Sequence, residues 1–417
     1  MDIRIISPVK GGAVEAVSSK SQLHRALICA ALSQGTTKIF CREYGEDIAA
    51  TADAVSCFAH IERTEKGFLT EKSPVFLKNS FDCRESGSTY RFMLPVMSAL
   101  GFEGSIYGSA ALAARPISPL YEEIVRSGGV LSEKGIFPMH LKGRMRGGRF
   151  SIRGDISSQF ISGMLMALPL CEEGGSIAIE GELKSAPYVD MTVEVMERFG
   201  VDIVREKGLI EIKKGSKYSS CGSFKAEGDW SAAAFWLAAG AFSEEGITVK
   251  GIDSVSRQGD RRIVDVLKTF GAKATEKCVG ITVSKGSLTG CEIDAADIPD
   301  LVPVMAVVAA AAKGKTVFYN TDRLRYKESD RVESVTAMIN GLGGRAVPYE
   351  NNIEVFGGGL KGGKISSFND HRIAMSAAVA SAICEKEVVI SDAQAVSKSY
   401  KSFFEDFEAL GGKVERE

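Results

Sequence analysis

A layout of helix end, small-residue turn, strand, tight turn and second strand recurs six times along this chain, and any fold must accommodate that repetition. The copies are CFAHIERTEKGFLTE, SGGVLSEKGIFPMHLKG, FGVDIVREKGLIEIKKG, FGAKATEKCVGITVSKG, LGGRAVPYENNIEVFGG and the truncated LGGKVERE. Aligned on Ala59, Gly128, Gly200, Gly271, Gly343 and Gly411, they fall 69, 72, 71, 72 and 68 residues apart. Glycine suits this junction because a helix stops most easily at a residue of left-handed backbone just past its end. One such junction is common in α/β proteins; five near-equal spacings are not chance. Six α/β units with mixed strands follow, three to each of two similar lobes. At 417 residues the chain also exceeds what one hydrophobic core usually serves.

Composition narrows the function classes. With 45% hydrophobic and 25% charged residues the chain reads as an ordinary soluble protein, and a net charge of -2 gives no reason to expect nucleic acid or an anionic membrane as partner. Nine cysteines are scattered without a CxxC pair, which argues against a disulfide framework or structural zinc and fits a reducing cytoplasm. MDIRIISPVKGG carries no apolar signal core. The longest apolar run, LVPVMAVVAAAA from Leu301 to Ala312, is too short to cross a bilayer and reads as a buried helix.

Local motifs add charge to this frame. In SSKSQLHRALICAAL, residues 18 to 32, Leu23, Leu27 and Ala31 form an apolar face, and Ser19 or Ser21 is placed to cap the first turn. Lys20 and Arg25 are less ordinary there, because a helix start already carries partial positive charge. That end is a candidate anion pocket. ESGSTYRFMLPVM sets Gly87, Ser88 and Thr89 before an apolar segment, with Arg91 in the first turn. NDHRIAMSAAVA offers Asn369 as a cap and Arg372 near the start. KESDRVESVTAMINGLGG carries Lys327, Glu328 and Arg331 ahead of the stripe Val332, Val335, Ile339 and Leu342, and DISSQFISGMLMALPL begins with Ser157, Ser158 and Gln159. Any one such arginine is ordinarily a solvated surface residue. Five helix starts of this kind, in a chain of near-neutral charge, point to ligands bearing phosphates or carboxylates.

Acid–base candidates are fewer. Asp297 and Asp300 in DIPDLVPVMAVVAA precede the most apolar helix, where a carboxylate kept ionised by hydrogen bonds accepts a proton from a bound hydroxyl; a plain helix cap at Asp300 fits equally. Glu328, beside Lys327 and Arg331, carries the same two readings. His24, His60, His140 and His371 are dispersed, with no cysteine at ligand spacing, so no metal site is expected, and His371 reads as a cap or packing residue. Neither GxxxxGK[ST] nor a dinucleotide fingerprint after a strand is present, so no nucleotide cofactor is expected.

Taken together, KSQLHR, ESGSTYR, the ARP of SAALAARPISPL, SSQF, SAPYVDMT, EGDWSAAAF, IPD, RYKESDR, NDHRIAMSAA and SKSYKSFFEDF resemble, in order and spacing along essentially the whole chain, the 5-enolpyruvylshikimate-3-phosphate synthases. The resemblance implies an α/β (α+β) fold of two similar lobes, each from three βαβαββ-type units, as in the inside-out α/β barrel of enolpyruvyl transferases. Lobe one would comprise 1–18 plus 229–417 and lobe two 19–228, with hinges near 11–20 and 225–230 and the active site in the interlobe cleft. The implied reaction transfers the enolpyruvyl group of phosphoenolpyruvate to the 5-hydroxyl of shikimate 3-phosphate, releasing phosphate, in chorismate and aromatic amino-acid biosynthesis. No cofactor or metal is implied, and the family pattern is a cytoplasmic monomer, a glyphosate target, that meets neither nucleic acid nor membrane.

The same resemblance implies the site. Lys20, Gly87, Arg115, Gln159, Arg331, Arg372 and Lys398 would surround phosphoenolpyruvate. Ser21, Arg25, Ser157, Ser158, Gln159, Ser185, Tyr188, Asp300 and Lys327 would hold shikimate 3-phosphate. Glu328 is implied in proton exchange at carbon 3 of phosphoenolpyruvate, Asp300 for the 5-hydroxyl proton and Lys20 for the departure of phosphate, with Asp370 and His371 behind Glu328. Three positions depart from the family pattern: Glu85 where many members carry Asn, Tyr90 where an aliphatic residue is common, and Arg323 in place of a small polar contact to the shikimate phosphate. Arg323 thereby stands as a further candidate ligand. The related transferase acting on UDP-N-acetylglucosamine is the nearest alternative, but it carries a cysteine before its Arg-Pro loop, and Ser109 to Ala114 contains none. A non-catalytic binder of anionic metabolites is the other alternative.

Overall fold

The computed structural model describes residues 1–277 and 279–417; Cys278, in the fourth repeat, lies outside the described residues. The chain divides into two compact units, Met1–Val17 with Glu227–Glu417, and Ser18–Ala226. Each unit has its own hydrophobic core.

Among the described residues six four-stranded sheets account for the strands, three per unit. All six share one pattern: a parallel edge pair, then two antiparallel pairings. The strands Ser80–Asp82, Gly104–Tyr107, Gly129–Leu131 and Met139–Gly143 give the simplest copy, with the helix Gly87–Leu100 after the first strand and Leu120–Arg126 after the second. This is the βαβαββ unit. The junction glycines Gly128, Gly200, Gly271, Gly343 and Gly411 all have positive φ, from 79° to 104°, a region costly for residues with a Cβ. Ala59 takes the equivalent place as the first residue of a strand, Ala59–Thr64.

The two helices of a repeat differ in burial. The first is covered on nearly all sides; Val302–Ala311, for example, exposes almost nothing and is hydrophobic all round. It packs against Trp230–Gly240 and His371–Ala380, the corresponding helices of the neighbouring repeats, and each buried Val or Met is worth about 1.5–3 kcal/mol. The second helix is amphipathic: Ile263–Phe270 buries Ile263, Val266, Leu267 and Phe270, spaced three or four apart.

The chain termini complete repeats that the local sequence leaves open. The truncated sixth copy ends at the strand Lys413–Arg416, and its missing partner is the amino-terminal strand Ile3–Ser7, paired antiparallel. The segment after it, Gly12–Glu15, is a strand parallel to Ile247–Lys250. Ser223–Lys225 likewise runs parallel to Thr36–Phe40. Each of these short strands therefore pairs away from the helix that follows it in sequence.

Candidate active site

In the unit containing both termini, charge concentrates around one guanidinium. Arg331 opens the helix Arg331–Gly341 and has no solvent exposure. Its Nη1 donates to Asp300 Oδ1 (2.6 Å), its Nη2 to Glu328 Oε2 (2.7 Å) and its Nε to Asp370 Oδ2 (2.8 Å). Lys327 Nζ donates to the same Asp300 oxygen at 3.3 Å, and Arg372 Nη2 stands 3.4 Å from Asp300 Oδ2. The helix beginning at Val302 takes no side-chain cap from Asp300, so the cap reading gives way to an ion-pair role. Asn369, read as a cap, has left-handed backbone (φ 54°), while Asp370 caps by accepting from the Arg372 amide at 2.9 Å. Lys398 donates to the Asn369 carbonyl at 2.5 Å.

These contacts set protonation. Burial alone would raise the Asp300 carboxyl, but Arg372, Lys327 and Arg331 together hold it well below the usual carboxylate range. Asp370 is lowered in the same way: burial is outweighed chiefly by Arg331. Burial draws the Lys327 ammonium down, with Asp300 opposing. Arg331 is pushed up despite burial by Asp370, Glu328 and Asp300. Asp300 is therefore a carboxylate at neutral pH. His371 is buried beside Asp370, with Nδ1 3.9 Å from Oδ1. Arg323 is buried in the short helical turn Asp322–Tyr326, where its charge also lowers Lys327.

In the other unit most candidate residues sit at the starts of four helices, three of them largely buried. Ser19, rather than Ser21, caps Lys20–Leu32 by accepting from the Gln22 amide. Lys20 Nζ donates to Asp47 Oδ2 at 2.8 Å. Arg25, only 2% exposed, donates to Thr192 Oγ1 (2.6 Å), Ser162 Oγ (3.3 Å) and the carbonyls of Ser21 (2.7 Å) and Tyr188 (3.0 Å), with its guanidinium 5.0 Å from the Phe92 ring centre. Burial without a carboxylate partner draws Arg25 down to about 10. His24 is lowered well below its ordinary value by burial and by Lys20 and Arg25. Ser185 precedes the helix Ala186–Arg198 with left-handed backbone (φ 57°).

Gln159, one residue into Ser158–Ala167, accepts from Arg91 Nη1 (2.7 Å) and donates to Ser88 Oγ (2.9 Å). Ser157 caps that helix, and the adjacent Ser158 is buried. Gly87 opens the helix Gly87–Leu100, and a Cβ there would stand 2.8 Å from Arg115 Nη1. The Arg115 Nε is buried without a hydrogen-bond partner. Tyr90 is packed away from solvent against Phe137, ring centres 5.0 Å apart.

A match to the EPSP synthase family (3-phosphoshikimate 1-carboxyvinyltransferase) spans residues 3–407. The chain belongs to that family. A curated 3-phosphoshikimate 1-carboxyvinyltransferase of Clostridium kluyveri is 40% identical to this family member over 98% of this chain and 97% of the relative. An EPSP synthase structure from Acinetobacter baumannii superposes with a TM-score of 0.82 at 25% identity, covering all of both chains. The enolpyruvyl transferase NikO of Streptomyces tendae shares the fold at 17% identity, with a TM-score of 0.78 over 99% of this chain and 98% of that one.

Two carboxylates escaped the sequence reading. Asp47 binds Lys20 from 27 residues away, a pairing with no local signature. Asp260 is 1% exposed and accepts from Ser231 Oγ. No helix among the described residues is long and apolar enough to cross a membrane.

Proposed function

We propose that this family member transfers the enolpyruvyl group of phosphoenolpyruvate to the 5-hydroxyl of shikimate 3-phosphate. The observation carrying the site assignment is that one buried guanidinium, Arg331, binds both Asp300 and Glu328, so the two carboxyls assigned to proton transfer share a fixed frame. In this reading Asp300 accepts the 5-hydroxyl proton as the oxygen attacks carbon 2 of phosphoenolpyruvate, and Glu328 delivers a proton to carbon 3. A tetrahedral adduct results. In the second half Glu328 takes a proton back from carbon 3, the bond from carbon 2 to the phosphate oxygen breaks, and phosphate leaves with the electron pair and takes up a proton from solvent, while Asp300 returns its proton to solvent. Lys20, steered by Asp47, neutralises the departing phosphate.

The remaining assignments distribute substrate charge. Lys20, Arg115, Gln159, Arg331, Arg372 and Lys398 bind phosphoenolpyruvate, with Gly87 lining its place. Ser21, Arg25, Ser157, Ser158, Gln159, Ser185, Tyr188, Asp300, Lys327 and Arg323 hold the shikimate phosphate, hydroxyls or carboxylate. Asp370 and His371 orient Arg331 and Glu328 from behind. The proposal takes the chain to be a cytoplasmic monomer; gel filtration and cell fractionation test those two points.

The deciding experiment follows phosphate release from phosphoenolpyruvate in metal-free buffer, with shikimate 3-phosphate or UDP-N-acetylglucosamine as acceptor. Release is expected only with shikimate 3-phosphate. Release only with the sugar nucleotide would overturn the acceptor, and none with either would remove the enzymatic reading.

A further inference from the structure

Asp260 belongs to no part of the chemistry above, yet it is buried and one of its oxygens has no hydrogen-bond partner. It lies in the short helical turn Gly259–Arg262, which packs against the start of Trp230–Gly240. One oxygen, Oδ2, accepts from Ser231 Oγ; the other, Oδ1, is buried with no hydrogen-bond partner. Asp260 forms no salt bridge among the described residues, and the charges that reach it are Asp300, Arg372 and Asp229. Asp229 caps Trp230–Gly240, and Asp265 and Lys268 on the helix that follows Asp260 are exposed. Burial and the neighbouring Asp300 push the Asp260 carboxyl up to about 7, with Arg372 acting in the opposite direction.

Arg372 Nη2 stands 3.4 Å from Asp300 Oδ2, and its charge also acts on Asp260. An anionic ligand on Arg372 takes up part of that positive charge and adds negative charge of its own. A buried carboxylate that loses its counter-charge is costly, and the least expensive response is protonation. The oxygen with an empty hydrogen-bonding position, Oδ1, is where the proton is accommodated. We propose that Asp260 takes up one proton from solvent when an anionic substrate engages Arg372, freeing the guanidinium to turn its charge to the ligand. Asp260 is then a positioning residue acting through Arg372. The inference rests on the assignment of Arg372 to phosphoenolpyruvate.

The test is titration calorimetry of the full chain with glyphosate in the presence of shikimate 3-phosphate, at pH 8, in two buffers of different ionisation enthalpy. Proton uptake by wild type should exceed that of Asp260→Asn by about one proton per site. Equal uptake overturns the proposal while leaving the functional reading intact; unchanged glyphosate affinity in Arg372→Gln overturns the proposal together with the assignment of Arg372 to the ligand. Should Asp260→Asn fail to fold, Ser231→Ala removes the hydroxyl that favours the ionised carboxyl and should move the pH of maximal uptake upward. No displacement there overturns the assignment.

Discussion

The two units hold their buried arginines by opposite means. Arg331 is enclosed by three carboxylates, whereas the partners of Arg25 are two hydroxyls and two backbone carbonyls. The consequence is visible in the ionisation of each, Arg331 pushed up and Arg25 drawn down to about 10. A guanidinium with neutral partners keeps its charge available to an arriving phosphate. One enclosed by carboxylates also fixes those carboxylates in place. The comparison teaches that the ionisation of a buried cation in this repeat depends on whether it has an acidic partner.

The sharpest way to break this contrast is at the carboxylates. Asp300→Asn should lower kcat by about 10²–10⁴, the usual worth of a positioned general base, in the phosphate-release assay. A loss below a few fold would mean that Asp300 only anchors Arg331. Arg331→Met should leave Asp300, Glu328 and Asp370 uncompensated and cost about 3–5 kcal/mol of stability in denaturant unfolding. Arg25→Met leaves only neutral groups behind, so it should unfold less readily than Arg331→Met yet bind shikimate 3-phosphate about 10–100-fold more weakly, as for the loss of a charged hydrogen bond. Equal destabilisation by both changes would erase the distinction.

Acid sharpens the comparison from the other side. Asp300 and Asp370 have carboxyls lowered in the folded state, so below the ordinary carboxylate value the unfolded chain binds more protons. Their stabilisation is present at neutral pH and is lost as pH falls through the acid range. Unfolding by denaturant at pH 3 and pH 6 should show the unit carrying Arg331 melting first as pH is lowered. The smallest effect belongs to Gly87→Ala: the new Cβ would press on the mobile end of Arg115, shifting it rather than breaking the helix, and should weaken phosphoenolpyruvate binding and glyphosate inhibition about 10-fold. An unchanged inhibition constant would place Gly87 away from the ligand.

Much of the frame was legible because its signals are local. The junction glycines announce left-handed backbone, and Leu301–Ala312 announces a buried helix, because each depends on residues within a turn or two. Cap identity was less legible: Asn369 and Asp370 are both good capping residues, and only the path of the chain decides that Asp370 faces the free amides. The burial of Arg25 and Arg331 was not legible either, since the sequence shows an arginine at a helix start but not what packs over it.

By itself, then, the sequence determined a six-part repeat, a buried helix at Leu301–Ala312, and cationic helix starts suited to anionic ligands. Tertiary structure decided that Ile3–Ser7 completes the sixth repeat and that Gly12–Glu15 and Ser223–Lys225 pair away from their own following helices. It also decided that Lys20 meets Asp47 and that Asp260 is buried near Asp300 and Arg372. The reason is physical. Periodicity and capping are encoded by side chains a few residues apart, while strand pairing uses backbone groups common to every residue, and an ion pair across a core exists only once the chain has brought distant residues together.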